Sequence, residues 1–184
     1  MESAVGDSSL GLTRGEVRLV PSDPAWPAVY ERVAVELRAA LDALAVAVEH
    51  IGATAVPGLP AKPILDVAIG LRADAGHDAV NDAVNDALHS LGFICRGVVD
   101  EDDGPSSMFG WEDVPRHRVV NLHLVRYDGR RWRAWAEFRD RLRADPGARD
   151  AYAALKGELA RRFANDRQAY IAGKDEFVQE ILRA

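Results

Sequence analysis

The stretch that most constrains this chain is residues 49–71, Glu49-His50-Ile51-Gly52-Ala53-Thr54-Ala55-Val56-Pro57-Gly58-Leu59-Pro60-Ala61-Lys62-Pro63-Ile64-Leu65-Asp66-Val67-Ala68-Ile69-Gly70-Leu71. It reads as the end of one strand, a glycine turn, a short basic loop and a second strand. The apolar run Leu44–Val48 forms the first strand, which ends at Glu49 and His50. Gly52 then permits a positive φ or a close backbone approach. Pro57, Pro60 and Pro63 stiffen the loop, and Ile64–Leu71 is the second strand. Asp66 is a carboxylate inside that apolar strand. An unpaired buried charge is costly, so Asp66 must meet a cation or face a cleft.

Two readings of these residues stand side by side. In one, Lys62 is a solvated ion-pair partner and the segment is purely structural. In the other it is a phosphate site. Backbone N–H groups and the Thr54 hydroxyl then point at an anion, Lys62 neutralises it, and Asp66 holds a divalent cation.

The rest of the chain supplies a mixed set of elements. Residues 1–14 are small and polar and read as a disordered tail, ahead of one domain over residues 15–184. Val17–Val20 reads as a short strand. Trp26 to Leu44 carries Tyr30, Val33, Leu37, Leu41 and Leu44 at helical spacing, with Trp26 and Tyr30 as core anchors. A second helix spans Asp74–Leu91, with Asp74 as its cap and His77 and His89 solvated. Phe93–Val99 is a strand in which Cys95 reads as a buried small hydrophobe. Residues 100–107 form an acidic loop without the ligand spacing of a calcium loop. Met108–Trp111 reads as a short edge strand or a lid.

In Arg118–Val125 the alternation puts Val120, Leu122 and Leu124 on one face and Asn121 and His123 on the other. Three helical stretches follow, over Arg130–Arg143, Pro146–Asp166 and Asp166–Leu182, with a kink at Gly173 and Lys174. The order predicts an α+β fold, a mixed sheet flanked by helices with a C-terminal helical cluster.

The net charge of −6 argues against a nucleic-acid binder, which needs a basic surface, and favours a protein handling small molecules. One cysteine suits a reducing cytoplasm. No apolar run reaches the ~20 residues of a membrane span, and the start lacks a signal-peptide pattern.

His50-Ile51-Gly52-Ala53-Thr54-Ala55-Val56-Pro57-Gly58-Leu59 followed by Ala61-Lys62-Pro63-Ile64-Leu65-Asp66 closely resembles the signature of the GrpB family, small bacterial proteins with a nucleotidyltransferase-like fold. The resemblance continues through Asn121-Leu122-His123-Leu124-Val125, Phe138–Arg143, Tyr152–Lys156 and Tyr170, Lys174 and Phe177, and so covers roughly residues 16–182. It implies nucleotidyl transfer from a nucleoside triphosphate to a small-molecule acceptor, with a divalent metal. Gly52, Ala53 and Thr54 would cradle the phosphates, and Lys62 and Arg118 would neutralise charge. Asp66 would bind the metal, with His123 and His50 as a further ligand or general base. Lys156 and Lys174 would reach the triphosphate if their helices flank the cleft.

Departures from the wider nucleotidyltransferase pattern weigh against turnover. Ala53 replaces a common Ser, Ala68 stands where a second carboxylate belongs, and Asn121 and His123 replace a third. An Asp66, His123 and His50 cluster would suit Mn²⁺ or Zn²⁺ better than Mg²⁺. The alternative is a degenerate module that binds a nucleotide or another anionic metabolite. A link to coenzyme A metabolism is a further option, because proteins resembling this one occur fused to dephospho-coenzyme A kinase domains. The expected state is a monomer or homodimer.

Overall fold

The computed structural model describes residues 1–6, 8–72, 77–99 and 106–183; the side chains of 77–81 and 99 fall outside that description. The expected cap at Asp74, the facing of His77 and the acidic loop over 100–105 therefore lie outside the described residues. The fold is α+β, as the element order implies. A six-stranded sheet has the order β2(Ala45–Ile51), β3(Leu65–Leu71), β6(His117–Arg126), β5(Ser106–Val114), β4(Ile94–Val99), with β1(Leu12–Thr13) beside the start of β6. Among the described residues, β3 and β6 run parallel and the other pairs are antiparallel.

One face of the sheet is buried under α2(Trp26–Leu41) and α3(His77–Ser90). Helix α2 points Trp26, Val29, Tyr30, Val33, Ala34, Leu37 and Leu41 inward at three- and four-residue steps. They meet Leu65, Val67 and Ile69 of β3 and Val120, Leu122 and Leu124 of β6. Each such side chain, fully buried, contributes roughly 1.5–3 kcal/mol. Trp26 and Tyr30 are core anchors as expected, and Tyr30 Oη donates to the Val48 carbonyl at 2.8 Å.

The opposite face carries the site. Its second wall is the C-terminal cluster α4(Arg130–Ala144), α5(Pro146–Arg162), α6(Arg167–Ala172) and α7(Asp175–Arg183). Asp145 caps α5 by accepting from the Gly147 and Ala148 N–H groups, with Pro146 at the first position. The expected single last helix is split in two, broken at Gly173 and Lys174. Leu142 and Tyr152 pack on Val56 and Leu59 of the proline loop, and this contact fixes the loop against the helices.

Four expectations change. The supposed tail is packed: α1(Glu2–Val5) buries Ala4 and Val5, Leu10 and Leu12 are also buried, and β1 joins the sheet. Four apolar residues in a polar segment suffice to dock it. Val17–Val20 forms no strand; Val20 only bridges Ala61. Met108–Trp111 is neither edge nor lid but the middle of β5, between β4 and β6, where Phe109 is wholly buried. Cys95 is exposed, because β4 is the sheet edge.

Register places the turn over the acid. Ile51 pairs with Asp66 across β2 and β3, so the next residue, Gly52, sits above the Asp66 carboxylate. Gly52 has φ +71°, and a Cβ there would lie 2.7 Å from Asp66 Oδ2. Gly52→Ala is therefore expected to cost about 1–3 kcal/mol in urea unfolding. A loss below about 0.5 kcal/mol would contradict this packing.

Candidate functional site

Asp66 lies at the floor of a cavity of about 370 Å³ between the sheet and the C-terminal helices. The parallel register sets Asp66 beside Asn121 and Ala68 beside His123. Asn121 Nδ2 donates to Asp66 Oδ1 at 2.9 Å, and His123 Nε2 is 3.4 Å from the same oxygen. Asn121 is oriented in turn by Arg118, whose guanidinium donates to Asn121 Oδ1 at 2.9 Å and to Glu112 Oε1 at 3.3 Å. Burial opposes the Asp66 charge. The hydrogen bonds from His123 and Asn121 and the positive charge of Lys62 outweigh it and hold the carboxyl below its usual range.

Around this single acid stand cations. Lys62, Lys156, Lys174 and Arg167 all line the cavity, with Gly52, Ala53 and Thr54 of the turn and the rings of Trp135, Tyr152 and Tyr170. Lys156 is 2% exposed; its ammonium donates to the Pro60 carbonyl and sits 4.9 Å above the Tyr152 ring. Lys62 and Lys174 both lie over the Tyr170 ring, 5.5 and 4.9 Å from its centroid. Among the described residues none of these three ammonium groups is within ion-pair distance of a carboxylate. Burial, then repulsion from Lys174 and Lys62, pushes Lys156 down to about 7. Burial and repulsion from Lys62 push Lys174 down to about 8, against the pull of Asp66 and Asp175. Lys62 is lowered too, chiefly by burial.

The residues expected at the site separate into three groups. Asp66, His123, Gly52, Ala53, Thr54 and Lys62 converge on the cavity, and so do Lys156 and Lys174. Arg118 lines an adjoining, smaller cavity instead and reaches Asp66 only through Asn121. His50 leaves the site. It pairs with Val67, so it lies on the helix-covered face, opposite to Asp66. There it stacks on Tyr30 at 4.6 Å and bonds Thr54 Oγ1 at 3.0 Å. Burial lowers its pKa to about 4, so it is neutral at pH 7 and positions the turn. The Thr54 hydroxyl is held by His50 and the Ile64 carbonyl. Glu49 shares the Asp66 face but is bound by Arg139 at 2.8 Å. Sequence reasoning missed Arg167, Trp135, Tyr152 and Tyr170 as lining residues, since helical spacing marks the aromatics only as packing.

A metal centre of three side chains is not built here. Among the described residues no group of three or more His, Cys, Asp or Glu side chains is placed to hold an ion. Asp66 and His123 are two donors, already in contact with each other, and Ala68 and Asn121 add no carboxylate. The expected Asp66, His123 and His50 cluster fails because strand alternation turns His50 away. The residues do not fit the two-ion chemistry of nucleotidyl transfer.

Comparison with known proteins agrees with the fold. A UPF0157 protein of Pseudomonas aeruginosa is 37% identical over 90% of this chain, which spans 66% of that protein's length. The glutamate-rich protein GrpB of Alkalihalophilus pseudofirmus is 30% identical over 94% of this chain and 98% of its own. A dephospho-CoA kinase of Mycolicibacterium paratuberculosis is 31% identical over 96% of this chain, which spans only 47% of that protein. Among solved structures, conserved protein GrpB from Enterococcus faecalis superposes with a TM-score of 0.77 at 26% identity, covering 90% of this chain and 95% of that one. The Cid1 poly(U) polymerase has a TM-score of 0.52 at 14% identity, over 78% of this chain and 45% of its own, a likeness of fold alone. The family model described as GrpB protein matches residues 16–184, and the chain belongs to the GrpB family.

Proposed function

We propose that the cavity binds the phosphate groups of a small molecule, a nucleotide or a similar anionic metabolite, without metal-dependent transfer. One observation carries this reading: three half-buried or buried lysines and Arg167 surround one carboxylate that is already satisfied by Asn121 and His123. Burying ammonium groups without counter-charge is unfavourable, and a polyanion removes that penalty. The rings of Trp135, Tyr152 and Tyr170 give the same cavity an apolar wall for a base or another flat group. This chain's fold likeness to the Cid1 poly(U) polymerase supports a nucleotide as ligand, and the dephospho-CoA kinase relatives keep a coenzyme A-related phosphate compound in view. The competing reading is transfer with a divalent ion on Asp66.

Calorimetry with ATP in chelator and in Mg²⁺ or Mn²⁺ separates the two readings. Lys174→Met is expected to weaken ATP binding at least about tenfold, as loss of a charge-assisted contact does. Asp66→Asn is expected to leave affinity unchanged or to strengthen it, since it deletes a negative charge from an anion site. A loss of binding in Asp66→Asn that appears only with metal, or pyrophosphate release by the wild type, would instead establish the metal-dependent reading.

The lysines also set a pH dependence. In the free protein their pKa values are lowered; a bound anion favours the charged forms and raises them, so binding takes up protons. Affinity must then fall as pH rises through the free values of about 7 and about 8. ATP binding is expected to be at least about tenfold weaker near pH ~9 than near pH ~6.5. A flat profile, as from lysines of ordinary pKa, would contradict the assignment.

A further inference from the structure

A second basic cavity of about 200 Å³ adjoins the first, sharing Lys62, Asn121 and Arg167 with it. Its own cations are Arg14, Arg96 and Arg118. Arg118 is 8% exposed and lies across the bare backbone of Gly110, where a Cβ would come within 2.3 Å of its Cζ. Gly110 and Asn121 are paired across β5 and β6, so the glycine gives the guanidinium its place next to the amide it orients.

The charge here is unbalanced and the donors are incompletely used. Glu112 Oε1 accepts from both Arg96 at 2.7 Å and Arg118 at 3.3 Å, while Oε2 accepts from the Arg116 backbone N–H. One carboxylate thus serves two guanidinium groups. Burial, with the nearby charges of Arg96 and Arg14, works against the Arg118 cation, and Glu112 only partly compensates. Glu16 lines this cavity too but is taken by Arg18 at 2.9 Å. The Nε atoms of Arg96 and Arg118 are buried and have no hydrogen-bond partner among the described residues. Arg96 and Arg118 line this cavity with one carboxylate shared between them, and guanidinium forks match planar oxyanions.

We propose that this second cavity is an oxyanion subsite, for a carboxylate or phosphate group, held by Arg118, Arg96 and Arg14 next to the lysine cavity. This rests on the lysine cavity being an anion site but adds a distinct group to it. The preferred ligand then carries two acidic groups, or two anionic ligands bind side by side with Lys62 and Arg167 between them. The first cavity takes a phosphate-bearing end and the second takes the other acidic group. Arg118 leaves the triphosphate cradle expected from the sequence and becomes a residue that selects the second group.

Inorganic phosphate and acetate are the probes. Arginine Nε–H signals of ¹⁵N-labelled full-length protein are followed by NMR, with stoichiometry from calorimetry. Wild type is expected to bind two phosphates and one acetate, with shifts at the Arg118 and Arg96 Nε–H groups. Arg96→Met should weaken one phosphate site and the acetate site about tenfold or more, while the other phosphate site changes less than about twofold. Gly110→Ala, which keeps every charge but displaces Arg118, should reproduce that loss. Lys174→Met should remove only the other site. One phosphate bound, with no response to Arg96→Met or Gly110→Ala, overturns the subsite and leaves the lysine cavity standing. One phosphate bound that responds to Arg96→Met and Gly110→Ala but not to Lys174→Met leaves the arginine subsite standing and overturns the lysine cavity. Phosphate and acetate shifts that are the same in Arg96→Met and Gly110→Ala as in wild type overturn it as well.

Discussion

The parallel pairing of β3 with β6, with Asp66 opposite Asn121, is the constraint on which the rest of the structure depends. It joins two strands that are 55 residues apart at the facing position and sets one acid beside one amide. The antiparallel pairing of β2 adds Ile51 across from Asp66 and hangs the Gly52 turn over it. A one-residue slip in either pairing would turn Asp66 into the apolar core under α2, where its charge would be untenable. The buried face, filled by Leu65, Val67, Ile69, Val120, Leu122 and Leu124, forbids that slip.

From this register the site follows as electrostatics. Asp66 is tied down by Asn121 and His123 and offsets the charge of Lys62 and Lys174 only in part. Arg118 orients Asn121 and is itself shared with Glu112, so a polar line runs from one cavity to the next. The C-terminal helices close the other wall, and they bring Lys156 and Lys174 in with the rings that carry them. A fold like that of the Cid1 polymerase here surrounds one carboxylate with several cations.

Much of this was legible in the sequence. The turn, the loop and the lone strand acid in residues 49–71 announced both the local structure and the convergence of Gly52, Lys62 and Asp66. Alternation in Arg118–Val125 placed Asn121 and His123 on one face. The same alternation, applied to Glu49, His50 and Ile51, excludes His50 from the acid's face, but only once the pairing of Ile51 with Asp66 is known. Pairing partners are set by tertiary contact, which a single strand's pattern does not carry. The placement of Lys156 and Lys174 was conditional for a related reason: a helix shows its polar face in sequence, not what that face meets. The docked N-terminal segment was hidden because Val5, Leu10 and Leu12 lack any period.

The central claim is that Lys156, buried, and Lys174, half-buried, are cations without a carboxylate at ion-pair distance among the described residues, in a cavity that takes an anion. Side-chain NMR of a lysine-labelled sample, titrated with pH, measures this directly. The two resonances should titrate with midpoints of about 7 and about 8 in the free protein, and both should move upward when phosphate is added. Midpoints near 10.5, the ordinary lysine value, that phosphate does not move would contradict it.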